Sequence, residues 1–290
     1  MPAATPPLGL LLDVDGPISS PLERRIAIPS IIEDLVTLAS LGVPIAFITG
    51  RSDTFMREEV VGRLLAAGLP DGVRMFGVSE KGGVWFPITS AGMGEIEIDH
   101  DLALPEDYTA ELRELTELRF ADAMFFDATK HAMISLEQNP DVGHDDYVLA
   151  QEQANQAAFD LLVEYGLGAR YGEQEFPDAQ GRITYRVDPT IISTDVESVM
   201  LDKDRGAARA LDFFRESGEL PLLWRTVGDS RSDYLMADHL HAEGFDVAHV
   251  DVRPADGILQ RPYRVITEGD LIHDDAGAAF LRHWVRTLGR

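Results

Sequence analysis

Cysteine is absent from this chain, which excludes disulfides, thiolate metal ligands and a cysteine nucleophile together. Lysine is nearly absent: only Lys81, Lys130 and Lys203 occur, and arginine supplies the other basic residues. No apolar run approaches the roughly 18 residues that a membrane-spanning helix requires. The opening stretch Met1 to Gly9 carries Pro2, Pro6 and Pro7 but no basic residue, so it reads as a short disordered lead-in rather than a secretory leader. Positive charge is scarce overall, and the formal net charge is −25. That balance argues against a nucleic-acid partner and against docking on anionic membrane. Most of the acid serves solubility, so only a few carboxylates need a chemical role. These absences fit a cytoplasmic protein, and they point to no protein partner.

What is present is enough for a sizeable core. A chain of 290 residues that is 45% hydrophobic accommodates one large domain or two ordinary ones. The first part alternates strand and helix patterns. Leu10-Leu11-Leu12-Asp13-Val14-Asp15-Gly16 reads as a buried strand that stops at two aspartates. A helix follows from about Ser30 to Leu41, with Ser30-Ile31-Ile32-Glu33 as a capping box. Val43–Ile48 reads as a second buried strand, then a helix that Ser52 caps, then a third strand over Arg74–Val78.

After about Gly83 the pattern changes. Val84–Phe86, Ile96–Ile98, Ala132–Leu136 and Ile183–Val187 alternate as half-exposed antiparallel strands do. Helices are expected near Pro105–Leu118 and Asp145–Tyr165. From Lys203 the first style returns: a helix to about Glu216, strands over Leu222–Val227 and Phe245–Val250, and a last helix near Asp275–Leu288. The expected architecture is α/β, a doubly wound, mostly parallel sheet over 1–84 and 196–290, interrupted by an inserted α+β domain over 85–195.

Ligands in open α/β sheets bind beyond the carboxyl ends of the strands, and three strand ends carry polar residues. Asp13 and Asp15 point to one side of an extended chain. Thr49-Gly50-Arg51 ends the second strand. In Gly228-Asp229-Ser230-Arg231-Ser232-Asp233 two aspartates straddle a strand-to-helix turn, a spacing that suits oxygen ligands around a hard cation such as Mg²⁺. Each feature alone has an ordinary structural explanation; Asp233, for example, suits the first turn of any helix. Their order and placement favour one site.

That order resembles the haloacid-dehalogenase-like phosphohydrolase superfamily across the α/β portion. Asp13-Val14-Asp15-Gly16 is similar to its first motif, Ile48-Thr49-Gly50-Arg51 to its second, Lys203 to the lysine of its third, and Gly228-Asp229 with Asp233 to its fourth. The resemblance implies Asp13 as nucleophile, Asp15 as general acid/base, Thr49 and Lys203 as phosphoryl ligands, and Mg²⁺ held by Asp13, Asp229, Asp233 and the Asp15 backbone carbonyl. Pro17 stands where that motif usually has Thr or Val.

The long interval between Thr49 and Lys203 resembles the class II cap arrangement of sucrose-phosphate and trehalose-phosphate phosphatases and of phosphomannomutases. The implied activity is Mg²⁺-dependent hydrolysis of a small phosphorylated metabolite, a sugar phosphate first. A phosphomutase and a catalytically silent binding protein are the alternatives. Gly50, Arg51 and Lys81 are candidate substrate contacts beside the site; Lys81 stands where many relatives carry Asn. In the inserted domain Lys130, with its neighbour His131, and Arg182 and Arg186, which share strand parity, are candidates of the same kind.

Overall fold

The computed structural model describes residues 5–289. Its strands are β1 (Gly9–Leu12), β2 (Ile45–Ile48), β3 (Met75–Ser79), β4 (Val84–Thr89), β5 (Gly92–Met93), β6 (Glu97–Ile98), β7 (Met124–Phe126), β8 (Ile134–Gln138), β9 (Ala169–Tyr171), β10 (Gln174–Phe176), β11 (Tyr185–Pro189), β12 (Ser193–Ser198), β13 (Leu223–Gly228), β14 (Asp246–Asp251) and β15 (Arg264–Ile266). The helices that matter are α1 (Pro29–Ser40), α2 (53–66, with a wide turn at Met56–Val61), α3 (Glu106–Arg119), α4 (His144–Glu164), α5 (Lys203–Ser217), α6 (Tyr234–Ala242) and α7 (His273–Leu288). The chain forms two compact units, one from Met1–Glu97 with Asp202–Arg290, the other Ile98–Leu201.

The first unit is built on a sheet of order β15-β14-β13-β1-β2-β3-β4-β5, with β6 paired to β4. Pairing is parallel from β15 through β3 and antiparallel from β3 to β5. The apolar run at β1 explains its central place, since both faces are covered. Leu10 and Leu12 pack toward α1, α2 and α7, while Leu11 packs toward α5 and α6. Each such fully buried leucine contributes about 1.5–3 kcal/mol by leaving water. This is the doubly wound arrangement that the alternating sequence predicts.

The second unit has a separate sheet of order β10-β9-β11-β12-β8-β7, antiparallel apart from the β11–β9 pair. Ile134, Leu136, Val187 and Val196 pack against Tyr108 and Leu112 of α3 and Tyr147, Phe159 and Leu162 of α4. Strand residues of the other parity are polar and bond to one another. Ser135 and Ser193 donate to Asp195 Oδ1 at 2.8 and 3.0 Å, and Arg186 Nε donates to Glu197 Oε1 at 2.9 Å.

Several expectations need correction. The division falls at 97/98 and 201/202, not at 84/85 and 195/196. The alternation in Val84–Phe86 belongs to β4, which joins the large sheet, with Val84, Phe86 and Ile88 buried. Gly77 makes that pairing possible, because a Cβ there would lie 2.1 Å from the Phe86 ring. Helix α1 opens on Pro29 with Ile28 as its cap, and Ser30 makes no capping bond. Proline at this position has a preset φ and no N–H to leave unpaired. The lead-in also ends earlier than expected: Leu8 is buried and Gly9 begins β1, while 1–4 lie outside the described residues.

Candidate active site

Strands β1, β2 and β13 are neighbours, with Leu12 in register with Phe47 on one side and Val227 on the other. The residues that follow these strands therefore share one end of the sheet. The Asp13 backbone N–H donates to Val227 O at 2.9 Å and Thr49 N–H to Val78 O at 2.9 Å, which fixes both loops to the ladder. Gly16 has φ +94°, and a Cβ there would fall 2.7 Å from the Asp229 carboxylate carbon. Only glycine meets both demands.

Lys203 is the hub. Helix α5 begins with it, and the N-cap Asp202 accepts its backbone N–H. Close packing delivers the helix to the sheet: a Cβ on Gly206 would stand 2.4 Å from Ile48 Cγ2. The buried Lys203 Nζ lies 2.6 Å from Asp13 Oδ1 and 2.7 Å from Asp233 Oδ1, and donates to Ile48 O at 2.8 Å. Burial disfavours its charge, but Asp13 and Asp233 override that and raise its pKa. A cation at a helix N-terminus opposes the helix dipole; the two carboxylates explain why it is tolerated.

The acids divide unequally around it. Burial, and then the Asp233 charge, pushes Asp13 well above the ordinary carboxylate range, against the pull of Lys203. Asp233 stays low because Lys203 and Ser230 outweigh the cost of its burial. Its Oδ2 accepts from Asp229 N at 3.1 Å, Ser230 N at 2.9 Å and Ser230 Oγ at 2.7 Å. Ser230 and Asp233 thus form a capping box. Burial and Asp233 raise Asp229 to about 6, with Arg253 and Lys203 working the other way.

These residues fit a hard cation. One oxygen each from Asp13, Asp229 and Asp233 lie within 4.8 Å of one another, an all-oxygen set of the kind Mg²⁺ takes. Their mutual repulsion is the physical sign that positive charge belongs there.

Asp15 is not part of that cluster. Arg51 Nε and Nη2 donate to its two oxygens, each at 3.0 Å. Arg51 is itself steered by its backbone N–H, which donates to Thr49 Oγ1 at 3.1 Å, and its guanidinium lies over Phe55. Beside this loop Glu80 and Lys81 adopt φ +52° and +54°, conformations that cost non-glycine residues about 1–3 kcal/mol each. Two backbone bonds hold them: Glu80 N to Arg51 O at 3.1 Å and Lys81 N to Thr49 O at 3.0 Å. The strain lays the Lys81 side chain over Gly50, with Cε 3.7 Å from where a Gly50 Cβ would sit.

Sequence reasoning missed Arg253 and His273. Arg253 Nη1 and His273 Nδ1 each lie 3.7 Å from Asp229 Oδ2. Burial, then Arg253, lowers the His273 pKa. Neither residue belongs to a motif, so no local signal marks them.

The candidates in the 98–201 unit are not brought together. Lys130 and His131 line a groove of about 800 Å³ with Arg113, Phe126 and Met133. Arg182 does not share a strand with Arg186, as parity suggested. It lies before β11, closes a loop on Asp178 with Nε 3.0 Å from Oδ2, and is largely exposed. Arg186 is on β11, bound to Glu197 and to Leu201 O. Among the described residues no helix is long and apolar enough to cross a membrane.

No protein-family model matches the chain, and no curated protein sequence matches it. Solved structures do. The C-terminal domain of trehalose-6-phosphate phosphatase from C. albicans aligns over 98% of this chain and 94% of its own at 13% identity, with a TM-score of 0.63. A haloacid dehalogenase-like hydrolase from Bacteroides thetaiotaomicron aligns over 95% and 98% at 13% identity and a TM-score of 0.56. The sucrose-phosphatase of Synechocystis sp., solved with sucrose and phosphate, aligns over 96% and 98% at 14% identity and a TM-score of 0.50. The chain therefore has the fold of haloacid-dehalogenase-like hydrolases and sugar-phosphate phosphatases, along nearly its whole length.

Proposed function

We propose that the protein is a Mg²⁺-dependent phosphomonoester hydrolase acting on a small phosphorylated metabolite, a sugar phosphate in the first instance. The observation that carries this reading is the clasp of Lys203 between Asp13 and Asp233 at the sheet end, beside Asp229. A lysine buried among three carboxylates is an arrangement for handling a dianion, since the site balances only when a metal and a phosphoryl group enter.

Asp13 attacks phosphorus, forming a carboxyl oxygen–phosphorus bond as the bond to the ester oxygen breaks. Asp15, oriented by Arg51, gives the leaving oxygen its proton. Asp15 then takes a proton from the water that cleaves the aspartyl-phosphate, restoring Asp13. Lys203 and Thr49 hold phosphoryl oxygens and stabilise the charge of the transition state. Mg²⁺, held by Asp13, Asp229, Asp233 and the Asp15 carbonyl, would screen the repulsion between nucleophile and phosphate. Gly50, Arg51 and Lys81 border the phosphate. The 98–201 unit acts as a cap whose residues, Lys130, Arg182 and Arg186 among the candidates, select the leaving group.

A panel of phosphomonoesters with Mg²⁺ tests this: inorganic phosphate is released, and EDTA stops the release. No release from any member overturns the assignment. Isomerised sugar phosphate without release replaces it with a mutase.

A further inference from the structure

Arg253 is a charge that the proposed mechanism does not use. It follows β14 closely, and β13 and β14 run in parallel register with Gly228 opposite Asp251. Asp229 and Arg253 are therefore brought together by the sheet, not by sequence. Asp251 Oδ1 accepts the Arg253 backbone N–H at 2.8 Å, which fixes where its side chain starts.

The guanidinium is divided between two carboxylates. Its Nη2 is paired with Asp256, while Nη1 stands 3.7 Å from Asp229 Oδ2, beyond hydrogen-bond reach. The Asp229 side chain is 15% exposed and that of Arg253 is 33% exposed. Beside them opens a cavity of about 290 Å³ lined by Asp229, Tyr234, Arg253 and Asp256 among others. Arg253 thus leans on Asp229 without being locked to it, is tethered elsewhere, and has room to withdraw. Asp13, Asp15, Asp233, Lys203 and His273 are the other charged and titratable groups that face that carboxylate.

We propose that Arg253 is a resident counter-cation of Asp229, which an incoming divalent metal must oppose, and which retreats on its Asp256 tether as the metal binds. The inference rests on the metal-dependent reading of the site. A guanidinium in place of part of the metal's charge steadies the carboxylates before metal arrives, and it weakens metal affinity by direct repulsion. Metal occupancy then becomes a setting of this chain and not a fixed property of three aspartates.

Calorimetric titration of the metal-free full chain with Mg²⁺ tests this, with no turnover involved. Arg253→Gln is expected to bind Mg²⁺ about tenfold more tightly than wild type, and the difference to shrink as salt is raised. Arg253→Lys, keeping the charge, stays within a factor of about three of wild type. Asp256→Asn, which frees the guanidinium to settle on Asp229, shifts binding the opposite way and guards against a poorly folded Gln variant. Unchanged or weaker binding by a folded Arg253→Gln overturns the inference while leaving the metal site standing. Wild type that takes up no Mg²⁺, behaving like Asp229→Asn, overturns both.

Discussion

Arg51 holds Asp15 with both arms of its fork, Nε to one carboxylate oxygen and Nη2 to the other, each at 3.0 Å. The Asp15 carboxylate is thereby aimed by a residue of the next strand's loop, and its geometry depends on the planar, two-pronged shape of guanidinium. Arg51→Lys keeps the charge and loses the fork. Expected is a fall in kcat of about 10- to 100-fold, because misplacing a catalytic group by an ångström costs that much. Mg²⁺ affinity measured by calorimetry stays at the wild-type value, which separates aim from metal binding.

Asp13 and Lys203 should respond in opposite directions to neutralisation. Asp13→Asn removes the proposed nucleophile and is expected to lower turnover by about 10⁴-fold. It also relieves the burial of a charge and the repulsion from Asp233 that raise the Asp13 pKa, so metal-free thermal stability holds or increases. Lys203→Met leaves Asp13 and Asp233 buried without their counter-ion and costs about 3–5 kcal/mol. Denaturant melts of both variants, with and without Mg²⁺, check the contrast. Added metal narrows the Lys203→Met deficit, because it binds only the folded chain.

His249 makes stability depend on pH. It is fully buried on β14, shares a 2.7 Å hydrogen bond between Nδ1 and Thr226 Oγ1, and burial lowers its pKa to about 4. The unfolded chain takes up the proton near 6.5 and the folded chain only near 4, so stability falls as pH drops through that window, by at most about 3 kcal/mol. Asp229 works the other way: raised to about 6, it favours the metal-free fold at the acid end. The difference between wild type and His249→Gln, measured by urea melts from pH 7 downward, isolates the histidine. That difference should be pH-dependent below about 6.5 and flat above it.

Gly206 should matter for chemistry although it touches no reacting group. A Cβ there collides with Ile48 Cγ2 at 2.4 Å, so Gly206→Ala pushes α5 off β2 and shifts Lys203. Expected are a loss of about 1–3 kcal/mol and a fall in kcat greater than any change in KM. Trimming the partner, in Gly206→Ala with Ile48→Ala, restores more turnover than stability.

The end of the sheet where the carboxylates gather was legible because buried strands write themselves as apolar runs and end abruptly. Asp13, Thr49 and Asp229 each follow such a run, and the family resemblance supplied Lys203. The cap boundary was misread at Val84–Phe86 because period two reports a strand with one face more buried than the other, not the sheet it joins. Arg182 was misread for a related reason: parity presumes extended chain, and the bonds to Asp178 close a loop instead. Arg253 and His273 left no trace in sequence, since their approach to Asp229 arises from the pairing of β13 with β14 and from the turn into α7. Contacts made by topology have no local spelling.

The 98–201 unit owns its hydrophobic core. Tyr108, Tyr147, Leu136 and Val196 belong to a cluster that shares no buried member with the two clusters around β1. A change in that core is felt within it, and the aspartates at the strand ends keep their ladder bonds and their lysine. Selection can therefore rework this insert, residue by residue or wholesale, while the strand-end cluster of carboxylates and lysine stays as it is. On the proposed function, new substrates are acquired by editing one passage, and the chemistry is inherited unedited.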